Sequence, residues 1–302
     1  MLFGILGFDP PRGGLASNTA YGVRAAPKLE RRADLDDVAV LNFALTLEHL
    51  ENAFYSDALA KFDQKAFTDA GLPPFARGRF VEVSEHEKAH VQLLSDALGD
   101  AATKPCTYNF PYSDPKSFAA LSQILEGVGV SAYTGAASFI ENKDYLTVAA
   151  SILSTEARHA AYVQSAVNKF AGWSGAFDIP LGLNEIFSLA APFITSCPDS
   201  NPNLRVKAFP TLTVVTPNPK PGSKATLKFD SSSDSGDLYM AFFTGLSKKF
   251  VKIENKEVTI PSDLLGTVYG VISKSANSTT DDNVVAGVAV LQFNFDSRGH
   301  LV

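Results

Sequence analysis

The sequence predicts a two-domain α plus β protein, a four-helix bundle followed by a β-sandwich. Apolar residues recur at helical spacing in four long segments of the first two thirds of the chain. Near residue 200 the pattern changes to short β-branched and aromatic runs separated by turn residues. Charge divides at the same place: 15 basic and 23 acidic residues stand before residue 202, against 11 and 9 after it.

The first helical segment, residues 36–60, opens on an Asp-Asp pair suited to a helix N-terminus. The second, 74–98, stops at Gly99, and the third, 115–140, starts with D-P-K-S as cap and first turn. The fourth, 142–170, ends before Gly172, and a shorter fifth helix is expected over 181–194. The Pro/Asn/Ser-rich stretch 196–203 marks the boundary, giving a bundle over 34–198 and a β module over 204–302. Seven strands are expected, at 211–216, 224–229, 238–244, 250–253, 258–260, 267–273 and 285–295, an all-β module of immunoglobulin-like size. It shows no convergent polar constellation and reads as a packing or adhesion module. Residues 1–33 read as a disordered or processed segment, in which Arg31-Arg32 is either a dibasic processing site or two solvated arginines.

At 302 residues, 45% of them apolar, the chain is long enough to bury a large core. A net charge of −6 argues against a phosphate-backbone binder, so nucleic acid is not an expected partner. No apolar run reaches the ~20 residues of a membrane helix, and even 179–194 is interrupted by Asn184, Glu185 and Pro192.

Only five histidines are present, and two of them, His90 and His159, follow a glutamate by three residues. Composition alone would give about 0.2 such pairs. Glu87 with His90, and Glu156 with His159, each share one helix face. The stripes around them are otherwise apolar: Phe80, Val83, Leu94 and Ala97 on one helix, Ala149, Ile152, Val163, Ala166 and Phe170 on the other. The first and third helices each carry a lone glutamate on a matching stripe, Glu48 and Glu126, followed seven residues later by Tyr55 and Tyr133. Four carboxylates in one core are forced to protonate unless cations neutralise them, and two divalent metals do so. The competing reading is neutralisation by basic side chains, for which only Arg158 lies close in sequence, pointing off the stripe. Four glutamates and two histidines in this order form the dimetal carboxylate set.

Carried by Glu48, E-K-A-H at 87–90, Glu126 and E-A-R-H at 156–159, the chain resembles the ferritin-like superfamily. The text L-N-F-A-L-T-L-E-H-L-E-N-A-F-Y and S-E-H-E-K-A-H-V is most similar to the desiccation- or stress-related ferritin-like proteins of fungi and plants, over residues 36–198. The resemblance implies a site for two iron or two manganese ions, with Glu48 and Glu126 terminal, Glu87 and Glu156 bridging, and His90 and His159 on one metal each. It makes Tyr55 and Tyr133 catalytic-site partners that orient the carboxylates. It implies O₂ or peroxide as substrate in a ferroxidase-like or manganese-catalase-like oxidoreductase. The β module and the long connection over 106–115 depart from a cage-forming ferritin.

Glu51, one turn past Glu48, is an alternative helix-one ligand. Glu82, Glu85 and His86 are expected on the outer face of the second helix, and His49 and His300 at the surface, while Trp173 has no ligand-like company. A different class of function is a secreted or cell-wall structural protein with a vestigial or structural metal site, its β module contacting a partner or a second copy. The Asn277-Ser278-Thr279 sequon and the Arg31-Arg32 pair support that class, and a cytoplasmic location is the alternative. Cys106 and Cys197 each lie just beyond a helix end and are expected to form a disulfide in an oxidising compartment, the alternative being two unrelated buried thiols.

Overall fold

The computed structural model describes residues 35–230 and 236–302. The N-terminal segment and its Arg31-Arg32 pair lie outside the described residues. The bundle is built from α1 (Asp37–Lys61), α3 (Ala76–Leu98), α4 (Pro115–Ala136) and α5 (Lys143–Tyr162), with a short α2 (Gln64–Asp69) between the first two. Helix starts are fixed by side-chain caps: Asp36 accepts from the Ala39 amide, Asp114 and Ser117 close a capping box with Pro115 in the first turn, and Asn142 caps α5. α1 packs on α3 and α4 on α5. The fourth predicted helix is shorter than its periodicity suggests, because its end unwinds into a π-helical turn, Val163–Val167. The fifth helix, α6 (Leu183–Ala190), also ends early, and the chain beyond it enters β2 (Ile194–Ser196), which pairs antiparallel with β1 (Thr107–Tyr108). Cys106 and Cys197 flank this ladder and are joined in a disulfide.

Seven strands follow: β3 (Thr213–Val214), β4 (Lys224–Lys228), β5 (Tyr239–Thr244), β6 (Ser247–Lys252), β7 (Glu257–Thr259), β8 (Gly266–Ser273) and β9 (Val284–Phe293). They form two antiparallel sheets, ordered β3-β4-β7 and β6-β5-β8-β9. Alternation along β5 shows how they sit. Met240 and Phe242 join Ala225, Leu227 and Val258 in a core between the two sheets. Ala241 and Phe243, on the opposite face, join Tyr269, Val271 and the helical core around Phe43, Val128 and Ile186. The four-stranded sheet is therefore a middle layer, buried on both faces, and its inner face forms part of the bundle's core.

One glycine is indispensable to this arrangement. The amide of Leu181 donates to the Ser131 carbonyl at 3.3 Å, which lays the segment before α6 against α4. A Cβ on Gly135 would stand 1.9 Å from the Leu181 carbonyl oxygen, a backbone atom with no rotamer to escape through. Gly135→Ala is expected to destabilise the protein by about 1–3 kcal/mol or more, since backbone must move. A denaturant midpoint unchanged from that of the unsubstituted protein would show that this close approach is not tight.

Candidate metal centre

All four bundle helices deliver carboxylates to one interior point. Glu48 and Glu51 come from α1, Glu87 from α3, Glu126 from α4 and Glu156 from α5, and all five are buried. Two histidines complete the set. His90 Nδ1 lies 3.1 Å from Glu87 Oε2, 3.1 Å from Glu156 Oε1 and 3.3 Å from Glu48 Oε2. His159 Nδ1 lies 3.1 Å from Glu87 Oε1, 3.3 Å from Glu126 Oε2 and 4.0 Å from Glu156 Oε1. The donor atoms fall into two groups, each with its atoms within 4.8 Å of one another: Glu48, Glu87, His90 and Glu156, and Glu87, Glu126, Glu156 and His159. Glu87 and Glu156 belong to both. All six residues expected from the sequence thus converge, and none faces away into solvent.

The tyrosines are exchanged between helices. Tyr55 of α1 donates its hydroxyl to Glu126 of α4, and Tyr133 of α4 donates to Glu48 of α1. Seven residues span ~10.5 Å of helix, too far for either tyrosine to reach its own helix's glutamate, so antiparallel α1 and α4 serve each other. Tyr55 is wedged among Phe54, Phe80 and Phe118, its hydroxyl also 2.8 Å from Ser122 Oγ. A packed aromatic floor thereby sets where the Glu126 carboxylate points.

Sequence patterning read three positions imperfectly. Glu51 is not a substitute for Glu48, because both side chains enter the core. Gly129, three residues after Glu126 as Glu51 is three after Glu48, supplies the space. A Cβ there would stand 3.2 Å from Glu51 Oε1 and 3.2 Å from Glu156 Oε2. His49, expected at the surface, is buried beneath the 99–104 segment with Nε2 3.1 Å from the Thr103 carbonyl. Burial lowers its pKa and outweighs the Thr103 carbonyl, which favours the protonated ring. His86 is exposed as expected, along with Glu82 and Glu85, but its ring reaches inward to His159. The stripe ends, Ala97 and Phe170, are exposed.

Without a metal, protons carry the compensation. Burial raises Glu48 to about 7, and burial together with the neighbouring carboxylates raises Glu51 and Glu156 well above the usual range. Burial also opposes ionisation of Glu87, but the imidazoles of His159 and His90 outweigh it and bring that carboxyl down to about 2. Burial works against charge on His90 and His159 too, yet the surrounding carboxylates raise them to about 12 and about 10. Even so, the compensation is geometrically incomplete. Glu48 Oε2, Glu87 Oε1, Glu126 Oε2, both oxygens of Glu156 and His159 Nδ1 are buried with no hydrogen-bond partner. Nδ1 of His159 sits between Glu87 Oε1 at 3.1 Å and Glu126 Oε2 at 3.3 Å without a well-formed hydrogen bond to either. Buried polar atoms are rarely left so, and lone pairs turned to common points are what a cation requires. Carboxylate oxygens with imidazole nitrogens suit a hard to borderline transition-metal ion, so the residues present fit a metal.

Residues 36–169 match the family model described as a ferritin-like domain. These residues are a ferritin-like domain. Protein rds1 of Schizosaccharomyces pombe is 27% identical over 207 residues, a match covering 68% of this chain and 50% of that protein. The chain thus spans about half the length of the curated relative it matches, and the similarity extends beyond the ferritin-like domain itself. All six donors and both tyrosines lie inside the ferritin-like domain.

Proposed function

We propose that the ferritin-like domain holds two metal ions, iron or manganese, and acts as an oxidoreductase on O₂ or peroxide in stress protection. One observation carries the reading: two donor groups share Glu87 and Glu156, and six of their side-chain atoms are buried without hydrogen-bond partners. Glu48 and His90 would complete one site, Glu126 and His159 the other. When bound, a redox-active metal pair supplies the electrons exchanged with oxygen or peroxide. The chain's own residues do the rest. The five carboxylates set the charge of the site, Tyr55 and Tyr133 hold two of them in place, and the aromatic floor excludes water. His90, whose side chain is 12% exposed, lies nearest to solvent of the six donors and marks the approach for a small molecule.

The β region we read as an immunoglobulin-like sandwich that packs on the bundle, and the two units as bundle and β module with the boundary at 196–203. A secreted protein accords with the disulfide; among the described residues no helix is long and apolar enough to cross a membrane. A cell-wall or homo-oligomeric setting remains an expectation from the sequence.

Metal analysis of the purified protein after loading with Fe(II) or Mn(II) is expected to give two ions per chain, with O₂ or H₂O₂ consumption by one loaded form. A chain that binds no metal would overturn the proposal. Binding is also expected to strengthen with pH, because His90, His159, Glu48 and Glu156 hold protons that a metal must displace. The metal-free fold follows the opposite trend. Raised histidines contribute stability fully below ~6.5, lost as pH rises through about 10 to about 12, and the raised glutamates cost stability as pH climbs above ~4.5. The rise in melting temperature on Mn(II) addition should therefore be larger at pH 8 than at pH 5.5. An equal rise at both would mean that these protons are not displaced.

A further inference from the structure

The two histidines of the centre are not supported alike. His159 presents Nδ1 inward, toward Glu87 Oε1 and Glu126 Oε2. Its Nε2 turns outward and lies 2.9 Å from Nδ1 of His86, an exposed residue of α3, and the two rings meet edge to edge, 9° from parallel with centroids 5.2 Å apart. A neutral imidazole carries one proton, so a ring that offers an Nδ1 lone pair inward must hold that proton on Nε2. The acceptor in line for it is His86 Nδ1. Metal-ligating histidines need such a partner, usually a carboxylate, a carbonyl or water, to fix tautomer and ring orientation.

We propose that His86 is a positioning residue for the metal centre, accepting the Nε2 proton of His159 and holding its Nδ1 lone pair toward Glu87, Glu126 and Glu156. The inference rests on the two-metal reading above and adds an inequality between the two halves. Position by position, E-K-A-H on α3 corresponds to E-A-R-H on α5, and the residue before the glutamate is His86 in one and Thr155 in the other. The Thr155 hydroxyl donates 3.3 Å to the Ser151 carbonyl of its own helix, so it is engaged locally. Among the described residues, only the group containing His159 has an imidazole whose outward nitrogen meets a side chain of the facing helix. His86 belongs to neither donor group and touches the centre through His159 alone. Its exposure means that water competes for the same nitrogen.

Mn(II) binding isotherms on the full chain, with the visible spectrum of the Co(II)-loaded protein as second readout, test this. His86→Phe keeps an aromatic ring of similar bulk but has no acceptor. It should weaken one of the two ions about 10- to 100-fold, leave the other unchanged, and alter one component of the Co(II) spectrum. His86→Asn restores an acceptor oxygen and should bind both ions within a few-fold of the unsubstituted chain, as should Thr155→Ala. Unchanged affinity and spectrum in His86→Phe would overturn the positioning role while leaving the two-metal reading intact. So would His86→Asn being as weak as His86→Phe, since bulk rather than the acceptor would then matter. Failure of the unsubstituted chain to bind Mn(II) or Co(II) would overturn both.

Discussion

Replacing Glu87 by alanine is expected to leave the protein unable to retain either metal ion. Its carboxylate divides between the two halves of the centre, Oε2 3.1 Å from His90 Nδ1 and Oε1 3.1 Å from His159 Nδ1, so one truncation removes a donor from both groups. Glu156→Ala should behave alike. Removing a group that merely orients a ligand costs about 10- to 100-fold in affinity, and loss of a shared ligand should exceed that for each ion. The metal-free fold would also change. Glu87 stays ionised in the interior, so its removal leaves two raised histidines with less negative charge around them. Glu82→Ala is the control, because Glu82 is exposed and its Oε2 pairs with Arg79 Nη1 of the same helix at 2.5 Å. Exposed pairs contribute little. Metal content after desalting decides: two ions retained in Glu87→Ala, or equal content in all three variants, would rule out a shared ligand.

Much of this centre could be read from spacing, since Glu-x-x-His places two donors on one helix face wherever the helix lies. The tyrosine exchange was half visible. The seven-residue offset of Tyr55 and Tyr133 from Glu48 and Glu126 marked the helices as equivalent, but which partner each hydroxyl meets depends on how α1 and α4 run past each other. The burial of His49 and the contact of the exposed His86 with His159 went unread for a common reason. Each sits one residue, about 100° of helix, from an inward glutamate, a position periodicity assigns to the flank. A long ring on α3 can still cross to α5, and a loop packed over the back of α1 can still bury His49. Neither event leaves a period in the sequence.

The seven β-strands were legible from alternation and turn residues, with ends shifted by a few residues. What covers them was not. The run Y-M-A-F-F-T of β5 is apolar on both faces, the signature of a strand buried between layers, yet only the tertiary structure shows that the second layer is the bundle. The ladder of β1 and β2 is too short to carry a pattern at all.

Reduction of the Cys106–Cys197 disulfide is the other change expected to have a large effect. The two Cα atoms are 4.2 Å apart while the residues are 91 positions apart in the chain. Closing a loop of that length restricts the unfolded chain by roughly 4 to 5 kcal/mol in the chain-entropy account, and natural disulfides removed from folded domains cost about 2–5 kcal/mol. The loop spans α4, α5 and α6, so the bond ties the connection after α3 to the strand after α6. Its neighbours are weak: β1 and β2 make a two-residue ladder, reinforced by Thr107 Oγ1 against Thr195 and Ser196 and by Asn201 bonding the Lys104 amide and carbonyl. These exposed hydrogen bonds cannot hold the junction once the bond is cut, so local opening there should precede global unfolding. The metal donors lie on helices inside and outside the loop, Glu126, Glu156 and His159 within it and Glu48, Glu87 and His90 before it. Loss of the bond should therefore lower the stability of the metal-free chain by about 2–5 kcal/mol, and bound metal, bridging the same segments, should recover part of it. Denaturant unfolding of the oxidised protein and of a Cys106→Ser, Cys197→Ser double variant, each with and without Mn(II), measures both. Equal midpoints for the two metal-free proteins would mean that the bundle is held without this link, and a metal-induced gain no larger in the variant would mean that the metal does not join the loop to the helices before it.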